Sequence, residues 1–287
     1  MKNYIWILLI SSVLFAFKND KPSYQLFTKN GKAVKYKKMI KSLKDADIIM
    51  FGELHNNPVC HWLQLEVTKE LHGEKGNKLI MGAEMFEADN QLIIDEYFSG
   101  YFKAEKFEAE ARLWPNYKTD YKPLLEYAKE NELDFIATNV PRRYASMVHK
   151  KGFDILDELP EESKKYMPEL PIAYDPELFS YKEMMDMMKD MGHANPNLPK
   201  AQAIKDATMA HFILKNFEEG EQFIHFHGTF HSNNFEGIVW YLKQANPNLN
   251  IVTIASAEQK ELDELAEENM DIANYILVVD EDMAKTH

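Results

Sequence analysis

Ile48-Ile49-Met50-Phe51-Gly52-Glu53-Leu54-His55 carries the clearest structural signal in the chain. Four apolar residues run into a glycine and then a polar turn, the pattern of a buried strand ending in a loop. The pattern returns far along the chain as Phe223-Ile224-His225-Phe226-His227-Gly228-Thr229-Phe230-His231. Both copies close on Gly-x-x-His. In an open α/β sheet, ligands bind outside the carboxyl ends of the strands. The repeat therefore sets His55 and His231 on one rim.

Further strands follow on either side. Lys78–Met85 reads as a second core strand with Glu84 near its end. Leu133–Ala137 is a third, Ile251–Ala255 a fifth after Gln222–His227, and Tyr275–Val279 a sixth. Tyr24–Phe27 and Lys32–Val34 flank Asn30-Gly31, a hairpin signal. Helices are expected at Tyr36–Lys44, Asn90–Phe98, Ala104–Leu113, Tyr121–Asn131, Lys200–Lys215 and Phe235–Gln244. Another starts at Pro58 behind an Asn57 N-cap. Val59, Trp62, Leu63 and Val67 give that helix an apolar stripe, with His61 and His72 off the stripe and on the surface. Strands alternating with helices indicate an α/β fold, a mainly parallel sheet flanked by helices. Residues 144–219 contain no convincing strand and read as a helical insertion subdomain, with a Pro-punctuated loop at Leu159–Leu178.

The chain has 287 residues, 45% of them hydrophobic, and a net charge of −13. That balance excludes a nucleic-acid binder, which needs basic surface. Residues 1–18 hold Lys2, an apolar run from Tyr4 to Phe17, and Lys18. The run is short for a membrane span and right for a signal peptide, with an uncleaved N-terminal anchor as the alternative. Residues 19–287 then form the α/β domain. Export to the periplasm or cell envelope is the expectation, with membrane association through the N-terminus and a homodimer left open. Cys60 is the single cysteine, so there is no internal disulfide and no thiolate cluster. Beside Trp62 it reads as a packed core residue.

Histidine nitrogen and carboxylate oxygen together suit Zn, Mn, Fe or Co. His55, His231 and Glu84 are the candidate ligands, and Glu53 or Glu84 the candidate base for bound water. A single histidine after a strand is more often a hydrogen-bonded rim residue; two copies in one context strengthen the ligand reading. His225 and His227 share one side of a strand; His225 is expected to be buried, and His227 to reach a ligand. Arg143 suits an anionic group of a substrate or an acid of the site. Gln202 and Asp206 share a face of a helix with small apolar neighbours. Met184, Met185, Met187, Met188 and Met191 crowd one segment, more often a core helix than a lid over a flat apolar ligand. Tyr181 and His193 flank it, each with an atom suited to iron.

Phe51–Asn57, Gly82–Glu87, Asn139–Arg143, Ala201–Ala210 and His227–His231 occur in an order that resembles the ChaN-like haem-binding uptake family of the Tiki superfamily. The resemblance spans roughly residues 45–280. It implies an exported haem-binding protein of bacterial iron uptake on an α/β sheet with a helical subdomain. It also implies kinship with TraB-related and erythromycin-esterase-like proteins and with Tiki-type metal-dependent proteases. In those proteases paired Gly-x-x-His motifs and an intervening Glu form the metal site, which correspond here to His55, His231 and Glu84. Family members are typically lipid-anchored, whereas no cysteine follows the apolar N-terminal run here. Two functions follow: a haem-binding protein, or a metal-dependent hydrolase of peptide or ester bonds.

Overall fold

A computed structural model describes residues 21–190, 192 and 195–287. The expected signal segment, Met191 and His193 lie outside the described residues. Seven strands form one sheet: β1 (Tyr24–Thr28), β2 (Ile48–Glu53), β3 (Leu79–Glu87), β4 (Phe135–Asn139), β5 (Gln222–Gly228), β6 (Ile251–Gln259) and β7 (Tyr275–Asp280). Their spatial order is β1-β7-β6-β2-β5-β3-β4. All neighbours are parallel except β1, which runs antiparallel to β7.

The helices are α1 (Tyr36–Leu43), α2 (Pro58–Lys75), α3 (Gln91–Phe98), α4 (Ala104–Glu110), α5 (Lys122–Glu130), α6 (Arg142–Lys151), α7 (Glu161–Lys164), α8 (Phe179–Asp190), α9 (Leu198–Lys215) and α10 (Ile238–Ala245). Helices α6 to α9 fill the connection from β4 to β5, so the helical insertion is present. No described helix is long and apolar enough to cross a membrane.

Side chains alternate across the sheet, and each face has its own core. Ile49, Phe51, Met81, Met85, Ile224 and Phe226 pack with Leu63, Val67 and Leu125 of α2 and α5. Ile48, Met50, Ile80 and Phe223 pack with Met209 and Ile213 of α9 and Ile238 and Leu242 of α10. Within α9, Ala203, Ala207 and Ala210 are buried, and small residues there permit close approach to the sheet.

Local signals hold at several ends. The Asn57 side chain accepts from the Val59 and Cys60 amides at 3.0 and 3.4 Å, and Pro58 opens α2. The Asn30-Gly31 turn is closed by Thr28 N–H donating to the Lys32 carbonyl at 2.9 Å, with Gly31 at φ 74°. Its second arm, however, makes one bridge, Phe27 to Ala33, and β7 is the ladder partner of β1.

Other expectations are corrected. His61 is buried, because α2 is covered on a second side by the π-turn at Tyr117–Tyr121 that leads into α5. His72 is half-buried against the Tyr127 hydroxyl, 2.8 Å away. Trp62 is 51% exposed and meets the edge of Tyr24 instead of the core. Helix α8 buries Ser180 and Tyr181, whereas none of its four methionines is buried. Cys60 is buried, and burial pushes its thiol up to about 11, so it is a packing residue.

Candidate functional site

Strands β2 and β5 are parallel neighbours in a register that pairs Gly52 with His227 and Glu53 with Gly228. The two Gly-x-x-His motifs therefore leave the sheet side by side. Each glycine makes room for the other motif. A Cβ on Gly52 would lie 2.8 Å from the Thr229 Cα. A Cβ on Gly228 would lie 2.6 Å from His55 Nε2. A Cβ on Gly52 would run into backbone, and a Cβ on Gly228 would displace the His55 ring.

The alternation of strand side chains divides the polar residues between the faces. Glu53 leaves β2 on the α2 side. It is fully buried, and its carboxylate accepts from Gln64 Nε2 at 2.6 Å and from the Tyr121 hydroxyl at 2.8 Å. His55 Nδ1 lies 2.9 Å from the same carboxylate. Burial alone would raise the Glu53 pKa; the His55 hydrogen bond and the charges of His61 and His55 reverse this and lower it. Burial likewise opposes a charge on His55, and the bond to Glu53 outweighs it and raises the pKa. The His55 carbonyl accepts from Asn116 Nδ2 at 2.8 Å, and Trp114 meets the ring edge-on at 4.9 Å.

Glu84, His231 and Asp206 occupy the α9 side. Glu84 accepts from the Gly228 amide at 2.8 Å and lies 3.1 Å from His231 Nε2. His231 Nδ1 bonds Asp206, whose other oxygen accepts from the Tyr181 hydroxyl at 3.0 Å. The Gln202 amide nitrogen lies 3.0 and 3.2 Å from the two ring nitrogens, a packing contact against a doubly protonated ring. Burial disfavours a charged His231, yet the two carboxylates outweigh it and push its pKa up to about 9. Both nitrogens are then donors, and the triad is a buried cation between two anions. The partnered Glu84 carboxyl is held well below its ordinary range despite burial, whereas burial leaves Asp206 raised.

His225 and His227 behave differently. Burial lowers His225 to about 3 and takes His227 well below its ordinary value. His225 Nε2 meets Thr138 Oγ1 at 2.7 Å, and His227 Nε2 meets Ser232 Oγ at 2.8 Å. These neutral rings brace the strand end beneath the rim.

Above the rim lies a cavity of about 1010 Å³. Glu53, His55, Glu84, Gln202 and His231 line it, while Asp206, His225 and His227 lie behind that wall. Its apolar surface comes from Leu54, Trp114, Val140, Met184 and Phe230. Lys205 and Arg142 are among its cations. Arg143 is instead turned to Asp89 at 2.6 Å and to the face of Tyr144. Among the described residues no group of three or more His, Cys, Asp or Glu is arranged to hold a metal ion. The paired motifs form two hydrogen-bonded couples, Glu53–His55 and Glu84–His231, and the His55 ring reaches over Gly228 toward Glu84.

Gln64, Tyr121 and Asn116 hold the rim without standing out in the sequence. The one signal for Gln64 is a polar stripe, His61, Gln64 and Thr68, at helical spacing on a helix with buried neighbours. Tyr121 closes the π-turn and Asn116 precedes it, and no local pattern announces that turn. Tyr181 is buried and spends its hydroxyl on Asp206.

Several known proteins are similar to this chain. The structure described as cofacial haem binding to ChaN of Campylobacter jejuni has a TM-score of 0.68 at 17% identity, covering 89% of this chain and 96% of that one. It establishes the shared fold. Similarity to an erythromycin esterase structure is weaker, with a TM-score of 0.45 and 11% identity over 85% of this chain and 78% of that one. The Arabidopsis thaliana protein RETICULATA-RELATED 5, chloroplastic, is 24% identical over 197 residues, 64% of this chain. The match spans only 26% of that curated relative's length. A family model described as haem-binding uptake, Tiki superfamily, ChaN matches residues 39–242. That match takes in both Gly-x-x-His motifs, the rim and the helical insertion, and the chain belongs to this ChaN family of haem-binding uptake proteins.

Proposed function

We propose that this ChaN-like protein of bacterial iron uptake holds haem in the cavity over the strand ends, with the His55 imidazole facing the iron. The disposition of His55 carries the reading. Its Nδ1 is tied to the buried Glu53 carboxylate, while its side chain stays 39% exposed. Its Nε2 has no hydrogen-bond partner among the described residues. A carboxylate on the far nitrogen orients a ligating histidine and makes it more basic, and histidine is a common axial ligand of haem.

The cavity volume of about 1010 Å³ lies at the upper end of small-molecule sites, roughly 300–1,000 Å³. A flat apolar ligand would meet Leu54, Trp114, Val140, Met184 and Phe230, with Lys205 as a cation for a carboxylate. Haem, once bound, would supply the iron; Glu53 keeps His55 turned toward it, and Gln64 and Tyr121 keep Glu53 in place. His231 is committed to its two carboxylates and supports the floor. The cofacial haem of the Campylobacter jejuni protein, carried over to this chain, makes a homodimer with facing cavities part of the proposal. So is export to the cell envelope, directed by residues 1–18.

The test is a haem titration of residues 19–287 followed by visible spectroscopy. A saturable Soret shift is expected, altered in position in His55→Ala and weakened by about tenfold or more. No saturable binding by the unaltered protein would sink the reading. An unchanged spectrum in His55→Ala would remove the ligand assignment.

A further inference from the structure

Arginine is scarce in this chain: Arg112, Arg142 and Arg143 are three of 33 basic residues. All three line one cleft of about 260 Å³, together with Glu87, Leu113 and Trp114. Two separate segments supply them, the turn after α4 and the first turn of α6. The cleft opens beside the main cavity, since Arg142, Glu87 and Trp114 line both.

Two of the guanidiniums are held in place. Arg112 pairs with Glu87 at 3.1 Å and also with Asp89. Arg143 pairs with the other Asp89 oxygen at 2.6 Å and lies 4.4 Å from the Tyr144 ring centre. Arg142 is exposed and makes no ion pair among the described residues. Three cations thus face two carboxylates, and the cleft keeps one positive charge in a chain of net charge −13.

Helix energetics make this placement costly. The first turn of a helix favours anions, because its amides are unpaired and its dipole is positive there. Helix α6 has no acid in its first turn and carries Arg142 and Arg143 instead. An anion seated in the cleft relieves that repulsion. Arginine suits the task better than lysine, since its planar fork meets two oxygens at once.

We infer that the arginine cleft is the subsite for an acidic group of the ligand whose apolar body occupies the main cavity, with Arg142 as the free fork. The inference rests on the haem reading, in which that group is a porphyrin carboxylate. Glu87 and Asp89 are positioning residues for the outer arginines.

The experiment titrates iron protoporphyrin and its dimethyl ester into residues 19–287 and into Arg142→Gln, reading affinity and Soret position together. The unaltered protein is expected to prefer the diacid by about tenfold, the scale of one charged hydrogen-bonded contact. Arg142→Gln is expected to lose that preference, bind the ester as before and keep the Soret position. Equal affinity of the unaltered protein for diacid and ester overturns the inference and leaves haem binding standing. So does a preference that survives in Arg142→Gln. Failure of both porphyrins to bind the unaltered protein overturns the haem reading and the inference together.

Discussion

The buried triad Glu84–His231–Asp206 makes stability depend on pH in a defined direction. His231 has a folded pKa of about 9 against an ordinary 6.5. A histidine raised on folding contributes stability that is fully present below pH 6.5 and is lost as pH rises through about 9. The gap corresponds to about 3 kcal/mol, applied without discount for solvent because the His231 side chain is only 6% exposed. Urea unfolding of residues 19–287 at intervals from pH 6 to pH 10 reads the loss. Glu84→Gln combined with Asp206→Asn removes both anions, and burial then drives the ring neutral, as it does for His225. The variant should lose this component of the pH dependence. Histidine NMR supplies a direct reading. At pH 7.5 the His231 ring should be doubly protonated, while His225 and His227 stay neutral. A His231 ring that titrates near 6.5, or a decline from pH 6.5 to 9 equal in the variant, would mean that the two carboxylates do not hold a charged ring.

Two further outcomes follow from the rim. In Gly228→Ala the new Cβ falls 2.6 Å from His55 Nε2, so the ring must leave Glu53, and haem affinity should drop by about tenfold or more; unchanged affinity and spectrum would contradict the close-approach argument. Tyr121→Phe removes the hydroxyl that donates to Glu53 at 2.8 Å in a buried setting and should cost about 2 kcal/mol, read as a lower urea midpoint at unchanged slope; no change in midpoint would mean that Glu53 is satisfied without it.

The pairing of the two motifs has a consequence for chemistry. Strand alternation sends the two carboxylates to opposite faces: Phe51 and Met85 face α2 and α5, so Glu53 faces with them and Glu84 faces α9. His55 alone returns over Gly228 to the middle of the rim. The result is two histidines lining the cavity, one half-exposed and backed by a carboxylate, the other buried and locked between two.

Much of this was legible from local pattern. The runs Ile48–Phe51 and Phe223–His227, each closed by glycine, announce parallel core strands, because apolar length and a glycine break are short-range signals. The Asn57-Pro58 start of α2 and the Asn30-Gly31 turn were equally readable, since capping and turn chemistry act within a few residues. The sequence also placed His55, Glu84 and His231 on a common rim through the order of its motifs. Tertiary structure alone decided the remainder. It set β5 between β2 and β3, turned Glu53 and Glu84 to opposite faces, buried His61 under a π-turn and left the α8 methionines outside the core. It also brought Arg112 to Arg142 across 30 residues of chain. Each of these depends on which distant element covers a given face, and burial and charge pairing between distant segments leave no periodic trace in the chain itself.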